Sequence, residues 1–456
     1  MISRLLYLAP YLLNEHYMTR NKALGKNYGA LTIIQASNFL LPFLTLPFIV
    51  RTIGPERFGA INFSIAIVTY FILLINFGFD FTATRRVAQN RQDENMINNL
   101  FSQIFYSRVL LFILSVLLFS MLFVSMPQIN QHPIVSIFIF ASCLANVFTP
   151  NWLFQGMQII HKTAVFNFVA KLIFCVSIIF LIRRPDDYIW YAVMSASSQV
   201  LVAIGLFLYA KKRFALTFKR PDLKAVKGLL TEDKMVFMAT LMISFYTTSN
   251  TVLLGMLGSE KEVGIFTASS RVIAVVQSVM LLPMSQALFP HIGSAFGKGR
   301  AEGVDEVKRI FPMVMIYTLS MCLFAALCAP LVIHILYGSQ FEDSIWILRI
   351  LAISPFVASI SNVMGVQTLL NLKLDKIYFR ITIIGCIVNV ILNIALIPVM
   401  SYYGTALAWV CTEVSIMVSL FIVLKRQNIH LIDKEYFNMA YLQKAGKNVI
   451  NSLRKK

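Results

Sequence analysis

Four stretches of this chain, residues 29–50, 58–79, 134–155 and 188–210, contain no Asp, Glu, Lys or Arg. Each exceeds the ~20 apolar residues that a helix needs to cross the ~30 Å hydrocarbon core of a bilayer. In lipid, every backbone N–H and C=O must find its partner inside the protein, so runs of this length are helices. A membrane β-barrel would instead show alternating segments of ~10 residues, and the sequence has none. Extending the same reading along the chain predicts spans near 29–50, 58–79, 104–126, 134–155, 163–182, 188–210, 235–259, 263–290, 310–333, 344–370, 377–400 and 402–424. Composition agrees. Of 456 residues, 58% are apolar and 13% charged, about half the charged fraction of a soluble domain.

The orientation follows from the basic residues. With the N-terminus cytoplasmic, 31 of the 40 Lys and Arg fall in cytoplasmic ends and loops, against five in outer loops (Arg51, Arg57, Arg183, Arg184, Lys261). That asymmetry obeys the positive-inside rule. The net charge of +19 is therefore a topology signal, not a nucleic-acid one, and contact of Lys211–Lys234 and the tail with anionic lipid is expected. Met1–Leu13 is apolar but short, without a small-residue cleavage site. It reads as an interfacial or unstructured start, not a cleaved signal peptide. The six cysteines lie inside apolar runs with no Cys-x-x-Cys, which speaks against a disulfide framework or a zinc site.

The longest internal polar segment, Lys211–Lys234, separates six spans from six. The expected organisation is a cytoplasmic segment 1–28, a bundle 29–210, a basic linker 211–234, a second bundle 235–424 and a basic tail 425–456. A weak repeat relates the halves. Gly54-Pro55-Glu56 with Gly59 joins the first two spans, and Gly258-Ser259-Glu260 with Gly264 joins the seventh and eighth. Gln155-Gly156 and Gly365-Val366-Gln367 form a second match, at the ends of the fourth and tenth. With six spans per repeat, the halves share one topology and a pseudo-two-fold along the membrane normal. The expected fold class is an all-α polytopic membrane protein of about twelve helices in two six-helix bundles.

Charges inside spans are the residues to explain, because each costs ~2.5–3.5 kcal/mol at a helix centre on insertion scales. Lys171 is mid-span in the fifth helix, and Arg271 lies about a third of the way into the eighth. Arg108 and Arg349 sit nearer span ends, where snorkelling or an ion pair explains them equally well, as it does Arg380. Glu413 is mid-span in the twelfth and could pair with a cation or act as a coupling carboxylate. The excess of cations suits an anionic substrate such as a phosphate or pyrophosphate. Pro42 and Pro47 in the first span, and Pro283 with Pro290 in the eighth, are candidate gating kinks or static ones. Gln35 and Asn38 could bind sugar hydroxyls or cross-link helices. No His-based metal spacing appears, and the Gly293–Gly299 region lacks a Walker ending. No cofactor, enzymatic activity or nucleic-acid partner is expected.

The stretch from Ser37 through Pro42, Pro47, Gly54-Pro55-Glu56-Arg57 to Gly59 resembles the opening of bacterial O-antigen repeat-unit flippases, the Wzx family. Gly78-Phe79-Asp80-Phe81, Trp152-Leu153-Phe154-Gln155-Gly156, Pro283-Met284-Ser285-Gln286 through Pro290, and Ser354-Pro355 through Gln367 continue the resemblance over roughly residues 27–425. The superfamily includes multidrug/toxin extruders and the lipid II flippase, and Ala268-Ser269-Ser270-Arg271 is similar to the eighth helix of the latter. The resemblance implies a V-shaped pair of bundles in the bacterial inner membrane, both termini cytoplasmic, moving undecaprenyl-pyrophosphate-linked oligosaccharide to the periplasmic leaflet by alternating access. Membrane lipids, a polysaccharide polymerase and a chain-length regulator are the implied partners. The pyrophosphate would bind Arg271 and Lys171, with Arg51 and Arg349 near the outer exit and Arg108 near the inner mouth. A cation antiporter of the same superfamily would need deep carboxylates, especially in the N-terminal half, whose spans carry only Asp80, at a cytoplasmic boundary. A membrane polymerase would need a large outer loop.

Overall fold

The computed structural model describes residues 45–219, 223–433 and 436–438. Among them all regular structure is helical. Nine helices are long and apolar enough to cross a membrane, or ten if the two arms of a bent helix count as one span. The long helices are α1 (45–76), α2 (Phe79–Gln89), α3 (Glu94–Ser125), α4 (Pro133–Gly156, interrupted at Ser142 and Thr149-Pro150), α5 (Ile160–Leu181), α6 (Tyr188–Arg213), α7 (Leu223–Leu257), α8 (Glu260–Lys298), α9 (Arg300–Leu327), α10 (Ser344–Leu369) and α11 (Asp375–Arg426).

One of these, α11, carries more than one span. A straight helix the length of α11 would measure ~78 Å at 1.5 Å per residue, more than twice the hydrocarbon thickness. It is broken at Ser401, whose φ of 53° and ψ of −133° are not helical. The Ser401 hydroxyl donates to the Glu262 carboxylate. The break falls between the predicted spans 377–400 and 402–424. In α1 the reversal is at Gly54, with φ +75°, followed by Pro55. Glycine takes the left-handed position that ends one helix, and proline pre-sets φ for the next.

The bend in α7 was not anticipated. Its arms Lys224–Phe245 and Thr247–Leu257 meet at 52°, with no proline nearby. The Thr247 hydroxyl donates to the carbonyls of Ile243 (3.1 Å) and Ser244 (3.2 Å). This back-bonding competes with the backbone ladder and bends helices. Conversely, Pro283 and Pro290 lie inside the continuous helix α8.

Packing follows the division into halves. Helices α2 to α6 pack among themselves, as do α7 to α11, with α7 also touching α2 and α3. The apolar core is distributed unequally along the helix axes. At one end a single cluster joins both halves, combining Val50, Ile53, Phe58 and Ile61 with Phe266, Tyr337, Phe341 and Leu348. At the other end the core divides in two. One part centres on Phe79, Phe101 and Trp152 and takes in Leu229 of α7, the other on Phe311, Met364 and Leu420. At this divided end the halves still meet along α2 and α7. Thr82 donates to Asp233 (2.9 Å), Arg86 pairs with Glu232 (2.8 Å) and Asp233 (3.3 Å), and Phe77 stacks on Phe237 with centroids 4.4 Å apart. Leu117, Met121, Phe180, Phe324 and Val399 present their side chains outward, as a bilayer-facing surface requires and an aqueous one does not.

Candidate translocation site

The seam between the halves is built from the two related connections. A Cβ at Gly59 would overlap the Glu260 carbonyl oxygen, and one at Gly264 would overlap the Pro55 carbonyl oxygen. The two backbones therefore cross in contact, as small residues permit between membrane helices. Beside the crossing, Phe58 packs edge-on against Tyr337 (6.2 Å) and Phe341 (6.0 Å). Arg51 Nη2 donates to the carbonyls of His334 and Ile335, both at 2.7 Å, satisfying groups left open at the end of the short helix Ala329–Leu336. His132 Nε2 lies 2.8 Å from Glu260, and the Tyr188 hydroxyl lies 2.8 Å from His132 Nδ1. Every one of these contacts joins the first half to the second, apart from the last.

Arg271 belongs to this seam. Its Nη2 donates to Asn62 Oδ1 at 2.5 Å, and its guanidinium sits 5.3 Å from the Phe58 ring centroid. Asn62 is held in turn by donating to the Phe58 carbonyl at 2.6 Å. The cation is thus kept by a neutral amide and an aromatic face, both on the opposite half.

Lys171 occupies a different place. It lies at the midpoint of α5 and lines a cavity of about 400 Å³ within the first half, together with Asn146, Asn151, Asn167, Ser195 and Gln199. Asn146 also accepts from Asn76 at 3.2 Å. Amides and hydroxyls share this cavity with Lys171, and a charge within a membrane-spanning helix normally faces such a polar space. The second half has a counterpart of about 350 Å³ between α7, α10 and α11, lined by Glu413, Asn362, Ser361 and Tyr378. One half thus offers a basic cavity and the other an acidic one.

The remaining predicted residues are placed as follows. Arg108 is 1% exposed, pairs with Asp80 at 3.0 Å and donates to the Thr149 carbonyl at 2.7 Å. It is an internal strut, neither snorkelling nor lining the Lys171 cavity. Arg349 is half-buried, its guanidinium 4.6 Å from the Trp346 ring centroid. Pro47 is half-buried in the short first arm of α1, before Gly54. Gln35, Asn38 and Pro42 lie outside the described residues. Arg271 is not among the residues lining the Lys171 cavity, so the two principal cations occupy separate stations.

A buried amide network went unread in the sequence. Asn389 Nδ2 donates to Asn250 (3.1 Å) and Thr412 (3.1 Å), Asn393 Nδ2 donates to Asn250 (2.8 Å), and the Ser249 hydroxyl donates to Asn389 Oδ1 (2.9 Å). It ties α7 to both arms of α11. The available signal was Asn389 and Asn393 four residues apart in an apolar run, which puts both on one helix face.

The family model described as "Polysaccharide biosynthesis protein" matches residues 24–296. A protein of Escherichia coli (strain K12), an O-antigen transporter by its description, is 27% identical over 419 residues, covering 91% of this chain and all of the relative. The fold is shared with the lipid II flippase MurJ in an inward closed conformation, at a TM-score of 0.69 and 13% identity, covering 87% of each chain. An inward-facing multidrug transporter of the MATE family aligns at a TM-score of 0.61 and 17% identity, over 85% of this chain and 94% of that one. The match over more than half of the chain, together with the paired helical halves, shows that the chain belongs to the polysaccharide biosynthesis protein family of polytopic membrane proteins.

Proposed function

We propose that this chain is a flippase that carries undecaprenyl-pyrophosphate-linked oligosaccharide, an O-antigen or related surface repeat unit, from the cytoplasmic to the periplasmic leaflet of the bacterial inner membrane. The observation that carries the reading is the basic cavity at Lys171. A lysine lining a polar cavity at mid-helix offers a cation to a pyrophosphate, and the amides and hydroxyls that line the same cavity suit sugar hydroxyls. In this reading the α2–α7 contacts of Arg86 with Glu232 and Asp233 part to admit substrate from the cytoplasm while the Gly59–Gly264 seam stays closed.

In this reading residues 29–210 and 235–424 act as the two bundles, linked by 211–234, with 1–28 and 425–456 cytoplasmic. Opening of the Gly59–Gly264 seam frees Arg271 from Asn62, and its planar fork then takes the pyrophosphate on the way out. Arg51 and Arg349 serve near the outer exit. Gln35 and Asn38 are the proposed sugar ligands, and Pro42, Pro47 and Pro283 the proposed gating positions. Substrate shifts the equilibrium by binding the two conformations with different affinity. No covalent chemistry or cofactor takes part, and the product is handed to a polymerase working with a chain-length regulator.

The test is complementation of a strain lacking its own repeat-unit flippase. Wild-type chain restores surface polysaccharide; Lys171→Ala and Arg271→Ala at normal protein levels do not. Full restoration by both variants contradicts the cationic stations.

A further inference from the structure

An amphipathic cargo needs two surfaces, and the basic cavity supplies only one. Against its side lies an apolar groove of about 310 Å³ between α5 and α6. Val165, Val169, Ile173 and Leu201 form its walls, and all four are exposed at the outer surface of the bundle. Ala170, Ser198 and Val202 line both the groove and the cavity. A small residue, a hydroxyl and a β-branched residue therefore form a boundary common to the two. Moving along this boundary, chemistry changes within about one helical turn, from Lys171 and Asn167 on one side of α5 to Val169 and Ile173 on the other.

We propose that the groove between α5 and α6 holds the first isoprene units of the lipid-linked substrate while its pyrophosphate sits at Lys171. This rests on the flippase reading and adds the place where the tail leaves the protein. A polyprenyl chain cannot follow a charged head into a polar cavity without losing its apolar surroundings, nor can the head enter the hydrocarbon unpaired. A cavity that opens sideways onto an apolar groove resolves both demands at once. Sugar, pyrophosphate and tail then meet amides, an ammonium and aliphatic side chains in that order. The α5–α6 hairpin thereby reads the junction common to every such substrate, while the sugar stays in the wider space.

Two measurements test this. In the complementation strain, Val169→Trp and Leu201→Trp fill the groove from its lipid-facing rim, and Val176→Trp places the same bulk on an exposed site of α5 outside it. The groove variants lower surface polysaccharide about tenfold or more at normal protein levels, equivalent to ~1.4 kcal/mol, and the Val176 variant does not. In nanodiscs, a polyprenyl pyrophosphate with a diazirine on its first isoprene unit labels residues 165–173 and 198–202, and Lys171→Ala abolishes that pattern. If wild-type chain fails to complement, the flippase reading falls. If it complements, but the groove variants complement equally and the probe labels lipid-facing helices no differently from a photoreactive polyprenol, the tail groove falls alone.

Discussion

Gly59 and Gly264 face each other across the seam between the halves so closely that neither position has room for a Cβ. Each comes from the same point in a repeated connection, so the sequence duplication and the closure of the molecule are one feature. Replacing either glycine by Val forces the crossing apart. Overpacking of this kind costs ~1–3 kcal/mol, here charged to the outer-closed state alone. The expected outcome is a shift toward an outward-open form. In a cysteine-free background, Tyr337→Cys, buried at the seam, becomes reactive to a membrane-impermeant maleimide only when Gly59→Val or Gly264→Val is added.

Arg271 is held by Asn62 and the face of Phe58. Arg271→Lys keeps the charge and loses the planar fork, so transport falls by about tenfold, some ~1.4 kcal/mol in the rate-limiting step. Asn62→Ala leaves the cation in place but unhooks the seam; it relaxes closure and impairs transport less than Arg271→Ala. Quantified surface polysaccharide, alongside maleimide access at the seam, separates the two effects.

The Arg108–Asp80 pair predicts a stability phenotype. Removing Asp80 strands a fully buried guanidinium, and breaking such pairs costs ~3–5 kcal/mol, tempered here because Asp80 is partly exposed. Asp80→Ala should lower the thermal midpoint of the detergent-solubilised protein by several degrees. Arg108→Met should be milder, because it removes the buried charge along with the pair.

Asn389 is the hub of the amide network. Asn389→Leu leaves Asn250, Ser249 and Thr412 each short of a partner. Interhelical hydrogen bonds in membranes contribute ~0.6–2 kcal/mol, so the expected loss of stability is of that order. It reports as a lower midpoint in a thermal-shift assay, while Asn389→Asp, which sets a buried carboxylate against the acceptors of Asn250 and Thr412, loses more.

Much of this architecture was legible because membrane thickness is a stringent ruler. Runs of apolar residues marked the spans that the described residues contain, and the left-handed Gly54 fell where the first two predicted spans were divided; most of the first predicted span, 29–50, lies outside the described residues. The Ser401 break appeared between the last two predicted spans, although no proline marks it. Charge placement drew attention to Lys171 and Arg271, but not to their separation into an intra-bundle cavity and an inter-bundle seam. That depends on which helix faces meet, and hydropathy does not encode it when nearly every face is apolar. For the same reason Arg108 read as a candidate ligand although Asp80, 28 residues earlier, neutralises it. The α7 bend was invisible because it arises from hydroxyls bonding their own backbone, a contact with no compositional signature.

Passage of lipid-linked oligosaccharide by way of Lys171 and Arg271 is tested by leaflet-resolved labelling of the lipid-linked sugar in spheroplasts of a flippase-deficient strain, using a membrane-impermeant periodate-based reagent. The expected result is outer-leaflet labelling when wild-type chain is expressed and retention in the inner leaflet with Lys171→Ala or Arg271→Ala. Inner-leaflet retention with the wild-type chain, or outer-leaflet labelling at the wild-type rate with both variants, would contradict it.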